Sequence, residues 1–186
     1  VAFVRPTLPA AAACAALLLV PAACGGSSEP AGAAGSAASG GIPTAPALGG
    51  KPLPELTLRR LDTGDAVRTS DLAGRPAVVN LWFSTCVPCK QEMPAFEEVH
   101  RAVGDRVRFV GLNTGEAAAP AKRFLAEQVS VTYEQWHDPQ ADLATALRIP
   151  SFPATLLLSA QGRVVKAHYG ALDAGRLRSL IAEVTA

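Results

Sequence analysis

The run Ala77 to Phe83, AVVNLWF, is almost unbroken in its apolarity and shows no alternation. Such a segment suits a strand buried on both faces, which requires a sheet covered by helices on either side. It leads directly into Ser84-Thr85-Cys86-Val87-Pro88-Cys89. Beyond the second cysteine, Met93, Phe96, Val99 and Val103 recur at helical spacing with Glu97, Glu98 and Arg101 between them. That pattern predicts a helix to about Ala102 despite Pro94. Cys86 therefore falls where a buried strand hands over to a helix.

The remaining elements follow from their periods. Leu56 to Leu61 alternates, and the following DTGDAVR reads as a turn into a second short strand, a leading β-hairpin. Val107 to Asn113 is a second buried strand. Ala117 to Gln128 suits a helix with Pro120 in its first turn and Phe124 and Leu125 as apolar anchors. Val129 to Gln135 is expected as a short strand and Gln140 to Leu147 as a helix. Two apolar runs joined by Ala160-Gln161-Gly162 form a β-hairpin. A last helix presents Leu177, Leu180, Ile181 and Val184 on one face, with Asp173 placed to cap it. This order describes an α/β fold with a central mixed β-sheet flanked by helices.

Residues 1-24 combine one cation, Arg5, with an apolar stretch from Ala10 to Val20 and small residues ending at Cys24, the pattern of a signal peptide. The VPAAC ending resembles the lipobox of bacterial lipoproteins, with Pro21 where leucine is usual, and this resemblance implies lipidation at Cys24. Cleavage after Ala22 or Ala23, or an uncleaved anchor, are the other readings. Residues 25-50 are Gly, Ala, Ser and Pro with few large apolar side chains, a composition that cannot offset ordering entropy and reads as a flexible linker. As a coil its ends would lie roughly 25 to 30 Å apart.

Net charge narrows the partners. The 17 Lys and Arg balance 16 Asp and Glu, to a formal +1, with no basic block. No nucleic-acid partner is expected.

A CxxC pair serves zinc, haem attachment or dithiol redox chemistry. Zinc requires about four ligands, and His100, His137 and His168 are isolated while Cys14 and Cys24 lie in the leader and at its end. Haem attachment requires a histidine after the second cysteine, where Lys90 stands. Dithiol chemistry remains, and no metal is expected. Unpaired N–H groups at a helix start favour a thiolate, so Cys86 is the expected attacking sulfur. Cys89, one turn on, resolves the mixed disulfide. Pro88 fixes the backbone between them.

The segment VVNLWFSTCVPCKQEMPAF resembles the active-site segment of the TlpA/ResA-like thioredoxin family of extracytoplasmic thiol-disulfide oxidoreductases. The likeness runs from about Leu53 to Ala186. It implies a thioredoxin-like domain over 51-186, with a central helix-and-strand insertion near residues 117 to 135. By the same resemblance Trp82 matches a family tryptophan, Asn80 stands where thioredoxin keeps a buried Asp, Pro94 matches a helix-kinking proline, and Glu92 assists proton transfer to and from the cysteines. Thr85 departs from the family, most of whose members carry a second tryptophan there. Pro153 in RIPSFPATLLL aligns with the family's cis-proline, which would present the Phe152 backbone to a substrate chain. Pro150 is read as an ordinary loop proline, Lys90 as an exposed helix lysine, and Trp136 and His137 as a loop pair.

Phe152, Pro153, Trp82, Thr85 and Pro88 are thus the expected substrate-binding residues, and Cys86, Cys89 and Glu92 the catalytic ones. The resemblance implies protein thiol or disulfide substrates, such as apocytochrome c, and a membrane electron-donor protein. It implies no cofactor beyond the Cys86–Cys89 disulfide. A monomer held to the outer face of the cell membrane is expected. Val87 places no charge beside the thiolate, which points to a reductant. Two alternatives stand beside this: a peroxiredoxin-like peroxidase, although the proline upstream of its cysteine motif is missing, and a Sco-like copper module using His168, although its cysteine spacing is one residue longer.

Overall fold

The computed structural model describes residues 48–185. The leader, Cys24 and most of the linker lie outside the described residues. Seven strands form one mixed sheet: β1 (Thr57–Arg60), β2 (Ala66–Arg68), β3 (Ala77–Trp82), β4 (Arg108–Thr114), β5 (Glu134–Asp138), β6 (Ala154–Leu158) and β7 (Val164–Tyr169). Their order across the sheet is β2-β1-β5-β4-β3-β6-β7. Strands β3, β4 and β5 run parallel, while β1, β6 and the edge strands join antiparallel.

The apolar run behaves as its composition demands. Every residue of β3 is buried, and its side chains divide between two cores. Val79 and Leu81 pack with Leu143 and Leu147 of α3 (Asp142–Leu147). Val78 packs on the other face with Phe96 and Val99 of α1 (Val87–Val103) and Leu177 and Leu180 of α4 (Ala174–Thr185). Helix α2 (Ala118–Glu127) adds Phe124 to a third cluster, with Trp82, Met93 and Cys89. Among the described residues no helix is long and apolar enough to cross a membrane.

Local chemistry sets the element ends. Asp173 accepts from the Arg176 N–H at 2.8 Å and caps α4. Gly162, at φ +72°, supplies the left-handed residue of the β6–β7 turn. Helix α1 continues through Pro94 to Val103. The leading hairpin is β1–β2, and α2 with β5 form the helix-and-strand unit between β4 and α3.

Four expectations are corrected. The strand placed at Val129 to Gln135 is β5, and it runs from Glu134 to Asp138. Val129 to Tyr133 alternates like a strand, yet the Thr132 N–H and hydroxyl bond the Glu97 carboxylate at 2.7 and 2.8 Å, not a neighbouring strand. Trp136 and His137 consequently belong to a buried strand rather than a loop. Leu48, assigned by composition to the linker, is buried in the core, and the Gly50 N–H bonds the Val164 carbonyl at 2.7 Å. The helix expected from Gln140 begins at Asp142, because the Asp138 carboxylate accepts from the N–H groups of Asp142 and Leu143.

Candidate active site

The end of β3 and the start of α1 carry the site. Cys86 is the N-cap of α1, and its Sγ accepts from the Cys89 N–H at 3.2 Å. Cys86 and Cys89 are joined in a disulfide with their Cα atoms 5.3 Å apart. Cys86 is 6 % exposed and Cys89 0 %, so an incoming thiol can meet only the first sulfur. Around it Thr85, Val87 and Pro88 are exposed. Val87, at 64 %, is the more exposed of the two large apolar side chains that stand out from the described surface.

Across from the pair, the Phe152–Pro153 peptide is cis. Phe152 meets Phe83 edge to face, ring centroids 5.5 Å apart. Together with Thr85 and Glu116 these rings line a cavity of about 350 Å³ beside the cysteines. Pro88, Pro150 and Pro153 are not part of that lining, and Pro153 is buried. Trp82 is fully buried in this disulfide-bonded form and packs in the core beneath the site. Its Nε1 donates to Gln135 Oε1 at 3.1 Å, and its ring packs on Phe124. Gly111 allows this, since a Cβ there would collide with the Gln135 carboxamide.

Glu92 lies one turn beyond Cys89 and is 2 % exposed. Oε1 accepts from Asn80 Nδ2 at 2.7 Å, and Oε2 from the Leu172 N–H at 3.0 Å. Burial is the dominant influence and pushes its pKa up from 4.5 to about 7, against the two hydrogen bonds, which favour the charged form. A buried carboxyl that titrates near neutrality can exchange a proton with a thiol without a large energetic mismatch. Lys90 turns away from the sulfurs, with Nζ donating to Gln128 Oε1 at 3.0 Å.

Glu116 was not anticipated. Its carboxylate accepts from the Ser84 N–H at 2.7 Å, the Ser84 hydroxyl at 2.5 Å and Asn113 Nδ2 at 2.5 Å. Its carbonyl takes a bond from His137 Nε2 at 2.9 Å. The loop before Cys86 is thereby tied to the end of β4. An acidic residue after a predicted strand, in NTGEA, is the only sequence signal of this tie. His168 lies on β7 beside Thr155 of β6. Among the described residues no three His, Cys, Asp or Glu side chains are grouped to hold a metal.

Comparison with known proteins agrees with this geometry. The Redoxin family model matches residues 48–182. The chain is 32% identical over 132 residues to the thiol:disulfide interchange protein DsbE of Xylella fastidiosa strain 9a5c, covering 70% of this chain and 66% of that protein. It is 30% identical to the thiol-disulfide oxidoreductase ResA of Geobacillus thermodenitrificans, over 66% of this chain and 70% of the relative. The match thus spans about two thirds of these relatives' length. A DsbF homologue from Corynebacterium diphtheriae superposes with a TM-score of 0.63 at 28% identity, covering 71% of this chain and 85% of that one. With a thioredoxin-like sheet, a CxxC disulfide at a helix start and a Redoxin match over most of its length, the chain belongs to the Redoxin family, on the branch of the ResA- and DsbE-like thiol-disulfide oxidoreductases.

Proposed function

We propose that this protein is an extracytoplasmic thiol-disulfide oxidoreductase that reduces disulfides in protein substrates through Cys86 and Cys89. The observation that carries this is the asymmetry of the pair: one sulfur on a helix N-cap and 6 % exposed, the other fully buried beneath it, one turn before Glu92. In the dithiol form, Cys86 thiolate attacks a substrate disulfide and a mixed disulfide forms as one substrate thiolate leaves. Cys89 then gives its proton to the Glu92 carboxylate and attacks Cys86. The Cys86–substrate bond breaks and the second substrate sulfur departs with the electron pair. Substrate backbone lies along Phe152 and Pro153, with Thr85, Pro88 and the Phe83–Phe152 pair contacting flanking side chains.

The sequence and the relatives together support an extracytoplasmic location. The leader and lipobox-like Cys24 support tethering to the outer face of the membrane, where a membrane electron-donor protein would return the disulfide to the dithiol. Apocytochrome c is the substrate class that the family resemblance favours, and the protein acts as a monomer without further cofactor. The test is a Cys89→Ala variant expressed in intact cells, which halts the reaction at the mixed disulfide. Capture of secreted cysteine-containing proteins and of a transmembrane carrier is expected; capture of neither would refute the reading.

A further inference from the structure

Glu92 has little route to water of its own. It is 2 % exposed, the sulfur beside it is fully buried, and donors occupy one face of each carboxyl oxygen. A proton taken from Cys89 must nonetheless leave before the next turnover. The sheet offers a polar path. Asn80 on β3 pairs with Thr155 on β6, and Thr155 pairs with His168 on β7. Cross-strand partners share a face, with Cβ atoms about 4.5 to 5.5 Å apart. That face is the one under α1 and α4: Leu157, two residues from Thr155, packs with Phe96 and Leu177, and Lys166, two from His168, donates to Glu183 of α4 at 2.5 Å.

Two atoms along this row lack partners. Asn80 Oδ1 and Thr155 Oγ1 are both buried and unpaired, on residues 1 % and 0 % exposed. Buried polar groups rarely stay unsatisfied, and adjacent orphans of this kind are where structural waters bind. A hydroxyl both donates and accepts, so Thr155 can pass a proton where a valine of the same shape cannot.

We propose that Asn80, Thr155 and His168 form a proton exit from Glu92, with a water seated between Asn80 Oδ1 and Thr155 Oγ1 and with His168 as the surface terminus. As Cys89 thiolate displaces the substrate sulfur from Cys86, its proton rests on Glu92 and passes to that water where it also meets the carboxyl. It then moves through the Thr155 hydroxyl and, since Thr155 Oγ1 makes no direct bond to His168, through a further water to the imidazole, and is released to solvent. The carboxylate is regenerated, and the electron pair has left with the substrate sulfur. In the reverse direction the same path supplies the proton. The groups facing the two ends favour release. At the Glu92 end, burial together with the charge of the carboxylate keeps the Tyr133 hydroxyl protonated. Partial burial, Arg176 of α4 and Lys166 hold the His168 imidazole below its usual range, which favours handing a proton on to solvent.

The inference rests on Glu92 as the proton acceptor, and the experiment separates the two. Reduced full-length protein is mixed with excess 5,5′-dithiobis(2-nitrobenzoate), whose second thiolate release reports the attack of Cys89. Thr155→Val and His168→Ala are expected to slow that second phase about tenfold while leaving the first unchanged. Thr155→Ser keeps the parental rate, and added imidazole restores His168→Ala in a saturable way. Thermal unfolding confirms that each variant is folded. A second phase within twofold of the parent in both variants, or a His168→Ala loss that imidazole leaves untouched, overturns the exit. Glu92→Gln is run alongside: a loss there with none in the other two rejects the exit alone, whereas no loss in Glu92→Gln rejects the acceptor and the exit together.

Discussion

Asn80 donates from Nδ2 to Glu92 Oε1 at 2.7 Å, linking the middle of the most buried strand to the inner side of the active-site helix. The bond fixes a carboxyl one helical turn beyond Cys89 in a place where its charge is costly. Burial outweighs the two hydrogen bonds and raises the pKa from 4.5 to about 7.

Stability should therefore fall with rising pH in a defined window. The folded protein holds the Glu92 proton more tightly than the unfolded chain does, so this contribution is complete below pH 4.5 and is lost as pH rises through about 7. The shift corresponds to roughly 3 kcal/mol across that window. Denaturant unfolding of the oxidised protein from pH 4 to 8 should show the decline, and Glu92→Gln should flatten it. An equal slope in both proteins would assign the pH dependence elsewhere.

Glu116 holds the approach to Cys86 rather than the cysteine itself. Glu116→Ala leaves the Ser84 N–H and hydroxyl and the Asn113 amide without their acceptor. A cost of about 1 to 3 kcal/mol is expected, the usual penalty for unsatisfied buried donors. Loosening of residues 83 to 85 should also slow attack on protein disulfides more than on small ones. Thermal unfolding and parallel assays with an insulin-type substrate and a small aromatic disulfide measure the two effects; equal slowing on both substrates would argue against a role in docking.

These two glutamates mark how far the sequence could be read. The buried strand, the CxxC at its end, the β6–β7 turn at Gly162 and the Asp173 cap are all local signals, each contained within a few residues, and each is found in the structure. Glu92 was singled out through the family likeness, but its bond to the Leu172 N–H spans 80 residues and leaves no periodic trace. Glu116 reaches Ser84 across 32 residues, and Trp82 reaches Gln135 across 53. The misplaced β5 has the same origin. Val129 to Tyr133 has a strand-like alternation, and only the tertiary bond from Glu97 to Thr132 removes it from the sheet.

The Arg108–Glu134 pair closes the β4–β5 ladder. Nε and Nη2 of Arg108 donate to the two carboxylate oxygens at 2.8 and 2.9 Å, and the guanidinium lies 5.4 Å from the Trp136 ring. Burial opposes the Glu134 charge, but the Arg108 bonds and charge prevail and hold its pKa below 4.5. The pair's contribution is thus present above that pH and lost as pH falls through the lowered value. Arg108→Met should cost about 2 kcal/mol at pH 7. A double-mutant cycle with Glu134→Gln should show a coupling above about 0.5 kcal/mol at pH 7 that fades below pH 4.

On the proposed function, Phe152 reads the substrate rather than the electron transfer. It is half-buried, lines the cavity beside Cys86 and packs edge to face on Phe83. Truncation removes apolar contact worth about 1 to 3 kcal/mol, or roughly 10- to 100-fold in affinity. Phe152→Ala should therefore raise KM for a protein disulfide by about that factor while reduction of a small disulfide proceeds at the parental rate. A matched decline in both would show that the ring supports the cysteines instead.

Val87 directly follows Cys86, the proposed attacking sulfur. It is 64 % exposed on the first turn of α1 and brings no charge to a thiolate at position 86. A cation at that place would stabilise the thiolate and so the reduced form, raising the potential and making the couple more oxidising. The parent is accordingly expected to have a potential below about −150 mV, in the reducing part of the thioredoxin-fold range. Val87→His should raise it by about 30 mV, equivalent to roughly 1.4 kcal/mol on the dithiol, with faster alkylation of Cys86 at pH 6. Equilibration against glutathione measures the potential, and iodoacetamide kinetics the thiolate. A parental value above −150 mV would reverse the assigned direction, and a Val87→His potential that does not rise would show that thiolate stability is set by the Cys89 N–H and the helix start alone.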